Sequence, residues 1–313
     1  MASVIVLAGC SIPGGSPAAG TVTAGAGAAS AASSAPAGSA VASSDPASSD
    51  SASSTPAPPS VPGLVWRGEG TVLHGHHLTY VAETDGGAIG LLWIDPSSVV
   101  FRFVPGFQVP EGGPSVAADN QPDTWVPRLV AAFNGGFLLG DHVGGYYYLR
   151  RSVSPLVTGT GSLAIGADGR LQVGRWGRDL RLTTSTAVVR QNLPLLVDGG
   201  RAMTSPTDTP RTWGLANGGL WTANRSALGV RTDGSLVYAY GHDVRPSAMA
   251  AAMVAVGVQR AMVLDMNKSW PGGFVYWHTP AGVHGLRIQP QEYHSPGVYY
   301  RRYTKDFIAV LLP

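Results

Sequence analysis

Two short apolar runs of this sequence each end on a polar residue whose side chain could do chemistry. Residues 129–133 lead into Asn134-Gly135-Gly136, and residues 261–264 lead into Asp265. Short apolar runs bounded by glycines are typical of buried strands. Open sheets tend to bind ligands at the carboxyl ends of their strands. Asn134 and Asp265 are therefore the first candidates for a functional site.

Asp265 is the leading candidate for catalysis. Burial beside a strand raises the pKa of a carboxyl, and glycoside cleavage usually needs one carboxyl as acid and another as base or nucleophile. Asp198 ends a similar apolar run and is the candidate for the second carboxyl. The alternatives are a loop cap through Asn267 or a pair with Lys268 for Asp265, and an Asp-Gly turn for Asp198. The glutamates lie in no motif: Glu69, Glu83, Glu111 and Glu292.

Asn134 is also a candidate for binding a sugar hydroxyl or an oxyanion, because its amide both donates and accepts hydrogen bonds. Gly135 and Gly136 would let a ligand approach the backbone closely. An Asn-Gly turn without a ligand is the alternative. Arg190 and Asn192, in a polar stretch after residues 187–189, are weaker candidates.

Cationic and aromatic residues near these runs suit a charged carbohydrate. Arg225 could form a bidentate pair with a phosphodiester, and Lys268, one of two lysines in the chain, could add a second positive contact. The alternatives are a surface salt bridge for Arg225 and neutralisation of Asp265 for Lys268. Trp270 follows the Asp265 loop and could stack on a sugar ring, although aromatic residues in β-rich proteins are often core.

A histidine cluster raises the question of a metal. His74 and His76 would share one face of a strand, with His77 beside them. No third ligand follows at a recognisable spacing, so no metal site is assigned. A divalent cation is left open as a cofactor, and a metal-dependent phosphodiesterase is the third functional hypothesis.

The motifs together resemble the phosphodiester glycosidase family, which includes the enzyme that removes N-acetylglucosamine from a sugar phosphodiester. The resemblance rests on Phe133 to Phe137, on Arg225 to Val230 followed by Asp233-Gly234, and on the helix and strand that end in Leu264-Asp265. It covers residues 63–313 and implies a glycoside hydrolase acting on phosphodiester-linked sugars, with catalysis at Asp265. Many members continue with Gly-Gly-Gly-Ser, where this chain has Met266-Asn267-Lys268-Ser269. A non-catalytic glycan-binding protein on the same scaffold is the alternative.

The N-terminal region predicts an anchored protein. Leu7-Ala8-Gly9-Cys10 resembles a bacterial lipobox, in which the cysteine is lipidated, and residues 1–10 are then the end of a signal whose start lies upstream. Residues 11–62 consist mostly of Ala, Ser, Gly and Pro and predict a disordered linker. We therefore expect an extracytoplasmic protein, held at the cell membrane through Cys10 and acting on a carbohydrate or sugar phosphate of the envelope.

Composition excludes other classes. The single cysteine rules out an intramolecular disulfide, and a net charge of +2 spread over the chain does not suit nucleic acid. No run approaches the roughly 20 apolar residues of a transmembrane helix.

The elements that must position the candidate residues form a single β-rich α+β domain with a mixed sheet and few helices. A helix is expected at 247–256, with Ser247 as N-cap and Gly257 at its left-handed end, leading into the strand before Asp265. Two Asp-Gly pairs, at Asp168 and Asp233, predict hairpins. Strands are expected at 78–82, 89–94, 99–104, 129–133, 146–149, 163–165, 187–189, 195–197 and 307–311.

Overall fold

The computed structural model describes residues 56–108, 119–141, 143–214 and 221–313. Cys10 and most of the expected linker lie outside the described residues. Within them, the Trp66 Nε1–H donates to the carbonyl of Pro59 at 2.9 Å, and Val61 packs against a hydrophobic cluster of the domain. The domain therefore has contacts from residue 59 onwards, a few residues before the expected boundary at Gly63.

The described residues form eighteen strands and one α-helix. In chain order the strands are β1 Arg67–Leu73, β2 His76–Glu83, β3 Ile89–Ile94, β4 Val100–Val104, β5 Leu129–Asn134, β6 Tyr146–Tyr148, β7 Arg151–Ser154, β8 Gly161–Gly166, β9 Leu171–Arg175, β10 Thr186–Gln191, β11 Leu195–Asp198, β12 Arg201–Ala202, β13 Ala223–Arg231, β14 Leu236–Val244, β15 Val258–Met266, β16 Gly273–Thr279, β17 Gly282–Arg287 and β18 Phe307–Leu311. The helix is α1, Pro246–Ala255.

Each predicted strand run overlaps one of these strands, although Val99 precedes β4 and Leu149 follows β6. Both Asp-Gly pairs form hairpin turns, between β8 and β9 and between β13 and β14. The β-rich α+β class is confirmed. The helix begins one residue earlier than predicted, with Arg245 rather than Ser247 as N-cap, because Pro246 takes the first helical position that proline favours.

The strands form three sheets. An eight-stranded sheet has the order β1-β2-β3-β14-β13-β15-β11-β12, a five-stranded sheet has β7-β6-β10-β8-β9, and another has β17-β16-β5-β18-β4. The pairings between these strands are antiparallel, so the expectation of a mixed sheet was wrong in this respect. The helix connects β14 to β15 by crossing over β13, so the two parallel strands are separated by a third strand antiparallel to both.

The helix covers one face of the eight-stranded sheet. Met249, Ala250 and Met253 of α1 are buried in a cluster with Ala261 and Val263 of β15. Gly257 has φ +77°, the left-handed conformation that glycine adopts without penalty, and turns the chain directly into β15. This packing fixes β15 along its length and so holds its far end, where Asp265 lies. None of the helices among the described residues has the length and hydrophobicity needed to cross a membrane.

Candidate active site

A cavity of about 650 Å³ opens at the end of β15. Asp265 and Met266 line it from the strand, and Phe137 lines it from the loop after β5. The other lining residues come from loops, short 3-10 helices and the ends of β13 and β14: Leu138, Asp141, Val143, Arg211, Gly214, Thr222, Ala223, Asn224, Asp243, Asn267, Lys268 and Trp270. The cavity therefore has an apolar and partly buried base and carries charged side chains of both signs.

Asp265 is the buried carboxylate of this cavity. Its Oδ1 accepts the Met266 backbone N–H at 2.7 Å, and its Oδ2 accepts the ammonium of Lys305 in an ion pair whose two side chains are each 2% exposed. Burial raises the pKa of Asp265, and the positive charge of Lys305 opposes that rise. The sequence alternatives of a loop cap and a pair with Lys268 are replaced by this pair with Lys305.

Trp270 covers the Lys305 ammonium. The Lys305 Nζ lies 4.1 Å from the centre of the Trp270 ring, within the range of a cation–π contact. The same ring lines the cavity. The indole, which lines the cavity, thus contacts the Lys305 side of the buried ion pair.

A second buried ion pair lies next in sequence. The Asp306 Oδ2 accepts the Arg190 Nε–H at 3.1 Å, and both side chains are 1% exposed. Arg190 also donates to the carbonyl of Phe137. Since Lys305 and Asp306 are neighbours, one dipeptide supplies a cation to β15 and an anion to β10.

The glycines after Asn134 fit against Asp306. The Gly135 N–H donates to the Asp306 carbonyl at 2.9 Å, and the Gly136 N–H donates to the Asp306 Oδ2 at 3.3 Å. A Cβ on Gly135 would overlap the Asp306 carboxylate, and one on Gly136 would lie 2.7 Å from the Asn192 Oδ1. The absence of side chains at Gly135 and Gly136 therefore lets the backbone pack against Asp306 and Asn192, where the sequence had suggested a bound ligand.

Asn134 and Asn192 hold the loops around that core. The Asn134 Oδ1 accepts the Tyr238 hydroxyl at 2.8 Å and the Gly272 N–H at 3.2 Å. Asn192 donates to the carbonyls of Val263 and Leu264, both at 3.0 Å. Both side chains are buried and neither lines the cavity. The structure thus places Asn134 beneath the site, where its amide positions Gly272, two residues after Trp270.

Arg225 is buried and bound to backbone. Its guanidinium donates to the carbonyls of Val244 at 3.1 Å, Trp213 at 3.1 Å and Trp221 at 3.3 Å. It forms no ion pair with a described residue. Burial lowers its pKa to about 10. Arg225, predicted to bind the phosphate, does not line the cavity. Its side chain is buried and holds together the three segments that contain Val244, Trp213 and Trp221.

Asp198 lies on β11, the neighbour of β15, toward the opposite end of β15 from Asp265. It pairs in register with Arg260, and Asp265 is five residues further along β15, a separation of about 16 Å at the rise of a strand. The Arg178 guanidinium donates to both oxygens of Asp198, at 2.9 and 2.7 Å. The carboxyl ends of neighbouring strands meet only in parallel sheets, and β11 and β15 are antiparallel. Their order in sequence therefore did not predict proximity.

Lys268 and Trp270 are the predicted binding residues that do line the cavity, together with Asp265. The described parts of the chain hold no group of three or more His, Cys, Asp or Glu side chains arranged to bind a metal ion. His74 lies in the turn between β1 and β2 with φ 50°, and His76 is exposed at the start of β2.

Sequence reasoning missed Lys305 and Asp306, and it ranked Arg190 and Asn192 too low. The available signal was the pair of charges directly before the apolar run of β18, in a chain with only two lysines. Charged residues are rarely buried unless they are paired. Their partners are 40 and 116 residues away in sequence, so the pairing itself was not visible.

The phosphodiester glycosidase family model matches residues 127–265. The resemblance inferred from the motifs is thus confirmed over this region, which contains Asn134 and Arg225 and ends at Asp265, before Lys268, Trp270 and Lys305. The match assigns a glycosidase-like fold to the region.

Two solved structures are similar at low identity. One is the catalytic domain of zebrafish N-acetylglucosamine-1-phosphodiester alpha-N-acetylglucosaminidase auto-inhibited by its pro-peptide, at 16% identity and a TM-score of 0.43, covering 80% of this chain and 81% of that one. The other is a protein from Synechocystis at 13% identity and a TM-score of 0.44, covering 80% of this chain and 62% of that one. No curated protein matches the sequence.

Proposed function

We propose that this chain, which matches the phosphodiester glycosidase family over residues 127–265, hydrolyses the glycosidic bond of a phosphodiester-linked sugar in an envelope glycan. One observation carries the proposal. The carboxylate that ends the matched region, Asp265, lies at the base of a cavity that Trp270 and Lys268 also line. A cavity with a buried carboxylate, an indole and a cation has the groups needed for a negatively charged sugar.

The proposed step is water attack at the anomeric carbon. The bond from that carbon to the phosphate oxygen breaks, the water oxygen joins the sugar, and Asp265 accepts the water proton. The products are the free sugar and a phosphate monoester. The second pKa of such a monoester is near 6, so it leaves as an anion with little help from an acid. A single carboxylate is therefore enough, and Asp198 is not required.

Lys305 supports this role because its charge favours the ionised form of Asp265. A base must be ionised to accept a proton. We expect kcat/KM to be low at acid pH and to rise through the pKa of Asp265, which burial places above its usual range.

The test uses the full chain with a methyl phosphodiester of N-acetylglucosamine 1-phosphate, with release of sugar as readout. Asp265→Asn should lower kcat by about 100-fold or more. Asp198→Asn should match the wild type, because Asp198 lies near the other end of β15 and does not line the cavity. Absence of turnover by the wild type, or equal turnover by Asp265→Asn, would remove the catalytic proposal.

We also propose an extracytoplasmic location with a lipid on Cys10, supported by the lipobox-like sequence. When the chain is expressed behind a complete lipoprotein signal in a bacterium fed an alkyne fatty acid, the wild type should be labelled and Cys10→Ser should not. Labelling of both, or of neither, would contradict it.

The alternative is a glycan-binding protein without hydrolysis. The observation in its favour is that Asp265 is 1% exposed and both of its oxygens are hydrogen-bonded. It predicts binding to envelope polysaccharide that survives Asp265→Asn and falls with Trp270→Ala. Release of sugar in the same binding assay would exclude it.

A further inference from the structure

We infer that Arg211 and Lys268 form the phosphate-binding subsite of the cavity. On sequence alone, the main phosphate contact is expected at Arg225 instead. The inference rests on the proposed function and identifies the part of the ligand that each side of the cavity holds. The phosphodiester lies between these two cations, and the sugar extends toward Trp270 and Asp265.

Arg211 is held by its backbone while its guanidinium stays available. It belongs to the 3-10 helix Pro210–Trp213, which a Thr209–Thr212 capping box begins. The Trp213 indole N–H donates to the Asp208 Oδ2 at 2.6 Å, and the Trp213 carbonyl accepts from Arg225. The Arg211 side chain is exposed at the cavity and forms no ion pair with any described residue.

Lys268 has the same combination of a fixed backbone and a free charge. The Asn224 amide donates to the Lys268 carbonyl at 3.0 Å, and the Asn224 carbonyl accepts the Asn267 N–H at 3.1 Å. Lys268 lines the cavity, is exposed, and makes no ion pair within the ranges that the structure describes. The backbones of Arg211 and Lys268 are thus fixed beside the cavity, and their exposed side chains are free to turn toward an anion.

Two carboxylates that line the cavity would repel an anionic ligand, so the ligand needs nearby cations to bind. Asp141 and Asp243 line the same cavity, and their negative charges oppose a phosphate. Asp243 is fixed with φ 52°, and its N–H donates to the Asn224 Oδ1 at 3.1 Å. The Arg225 guanidinium, bound to three backbone carbonyls, is not available to offset them. Among the described residues that line the cavity, Arg211 and Lys268 are therefore the cations that can offset this charge for an anionic ligand.

The test compares two substrates that share one sugar, a methyl phosphodiester and a neutral 4-nitrophenyl glycoside. Arg211→Gln and Lys268→Gln should each raise KM for the phosphodiester about tenfold, as expected for loss of one charge-assisted contact. KM for the neutral glycoside should change less than about twofold, within the range of surface substitutions. Arg170→Gln is the matched control, because Arg170 lies in the β8–β9 turn with its side chain 88% exposed. Asp243→Asn should lower KM for the phosphodiester.

Binding of N-acetylglucosamine 1-phosphate, measured by calorimetry, separates this inference from the proposed function. If the wild type hydrolyses neither substrate but binds this sugar phosphate more tightly than both Gln variants do, the phosphate-binding subsite is supported and the proposed hydrolysis is contradicted. If hydrolysis occurs and the Gln variants keep the wild-type KM for the phosphodiester, the subsite is overturned. A loss of kcat without a change of KM in Asp243→Asn would assign that carboxylate to catalysis and also overturn the arrangement.

Discussion

Lys305 and Asp265 form an ion pair that is closed off from solvent, although the two residues are 40 positions apart in sequence. The Lys305 ammonium lies 4.1 Å from the centre of the Trp270 ring, and Trp270 and Asp265 both line the cavity. A charged group in such a place depends on its partner, because neither can be hydrated in the folded state.

Removal of one partner should therefore be costly. Lys305→Met leaves the Asp265 carboxylate without its counterion, and we expect a loss of about 3–5 kcal/mol in the free energy of unfolding. The pKa of Asp265 should rise further. Urea unfolding measures the first effect. Lys268→Met, at an exposed position, is the control and should change stability by about 0.5 kcal/mol or less. Equal stability of the two variants would show that the pair contributes little.

The Asn134-Gly135-Gly136 motif should tolerate no side chain at its first glycine. A Cβ on Gly135 would lie 2.8 Å from the Asp306 carbonyl oxygen and overlap the Asp306 carboxylate. Gly135→Ala should therefore lower the free energy of unfolding by about 3 kcal/mol and reduce turnover. Gly140→Ala is the matched control, because no atom lies within 4 Å of its added Cβ. Thermal unfolding distinguishes them. Similar melting temperatures would contradict the packing described for the motif.

Glu292 should make the protein less stable as pH rises. It is 4% exposed, neither carboxylate oxygen has a hydrogen-bond partner among the described residues, and burial raises its pKa well above the usual range. The backbone of Gly273 and the charge of Arg287 oppose this rise.

The folded state keeps the Glu292 proton at a pH where the unfolded chain has released it. Stability should therefore be highest below the unfolded pKa, near 4.3, and fall by up to about 1.4 kcal/mol per pH unit until the folded pKa is reached. Glu292→Gln should make this slope shallower, with the remainder due to Asp265, whose pKa burial also raises. The exposed Asp123→Asn should leave the slope unchanged. Urea unfolding between pH 5 and 9 gives both slopes, and parallel curves for all three proteins would contradict the assignment.

Arg225 should be sensitive to a change of shape at constant charge. Lysine cannot reach the three carbonyls of Trp213, Trp221 and Val244 at once, so Arg225→Lys should destabilise by on the order of 3 kcal/mol. KM for the phosphodiester should also rise, since Arg211 lies in the segment that Arg225 holds. Arg201→Lys, on the exposed β12, is the control. A stable variant with altered KM would mean that Arg225 contacts the ligand.

Local sequence pattern was sufficient to predict the strands, the hairpins and α1, because apolar runs, Asp-Gly turns and a terminal glycine act within a few residues. It also placed Asp265, Lys268 and Trp270 near each other, since they lie on one strand and the loop that follows. The location of Asp198 needed the direction of β11 against β15, which no local pattern contains. The buried roles of Arg225 and Asn134 needed partners more than ten residues away: Trp213 and Val244 for Arg225, and Tyr238 for Asn134.

The contact between Gly136 and Asp306 joins residues 170 positions apart. The fully buried strand before Gly136, β5, pairs with β16 and β18, both of which come much later in the chain. During synthesis on the ribosome, β5 would thus emerge long before either neighbour and expose an apolar edge in the meantime. Chains that rely on such distant pairings fold slowly and are prone to aggregate. We therefore expect this domain to depend on chaperones during its biogenesis.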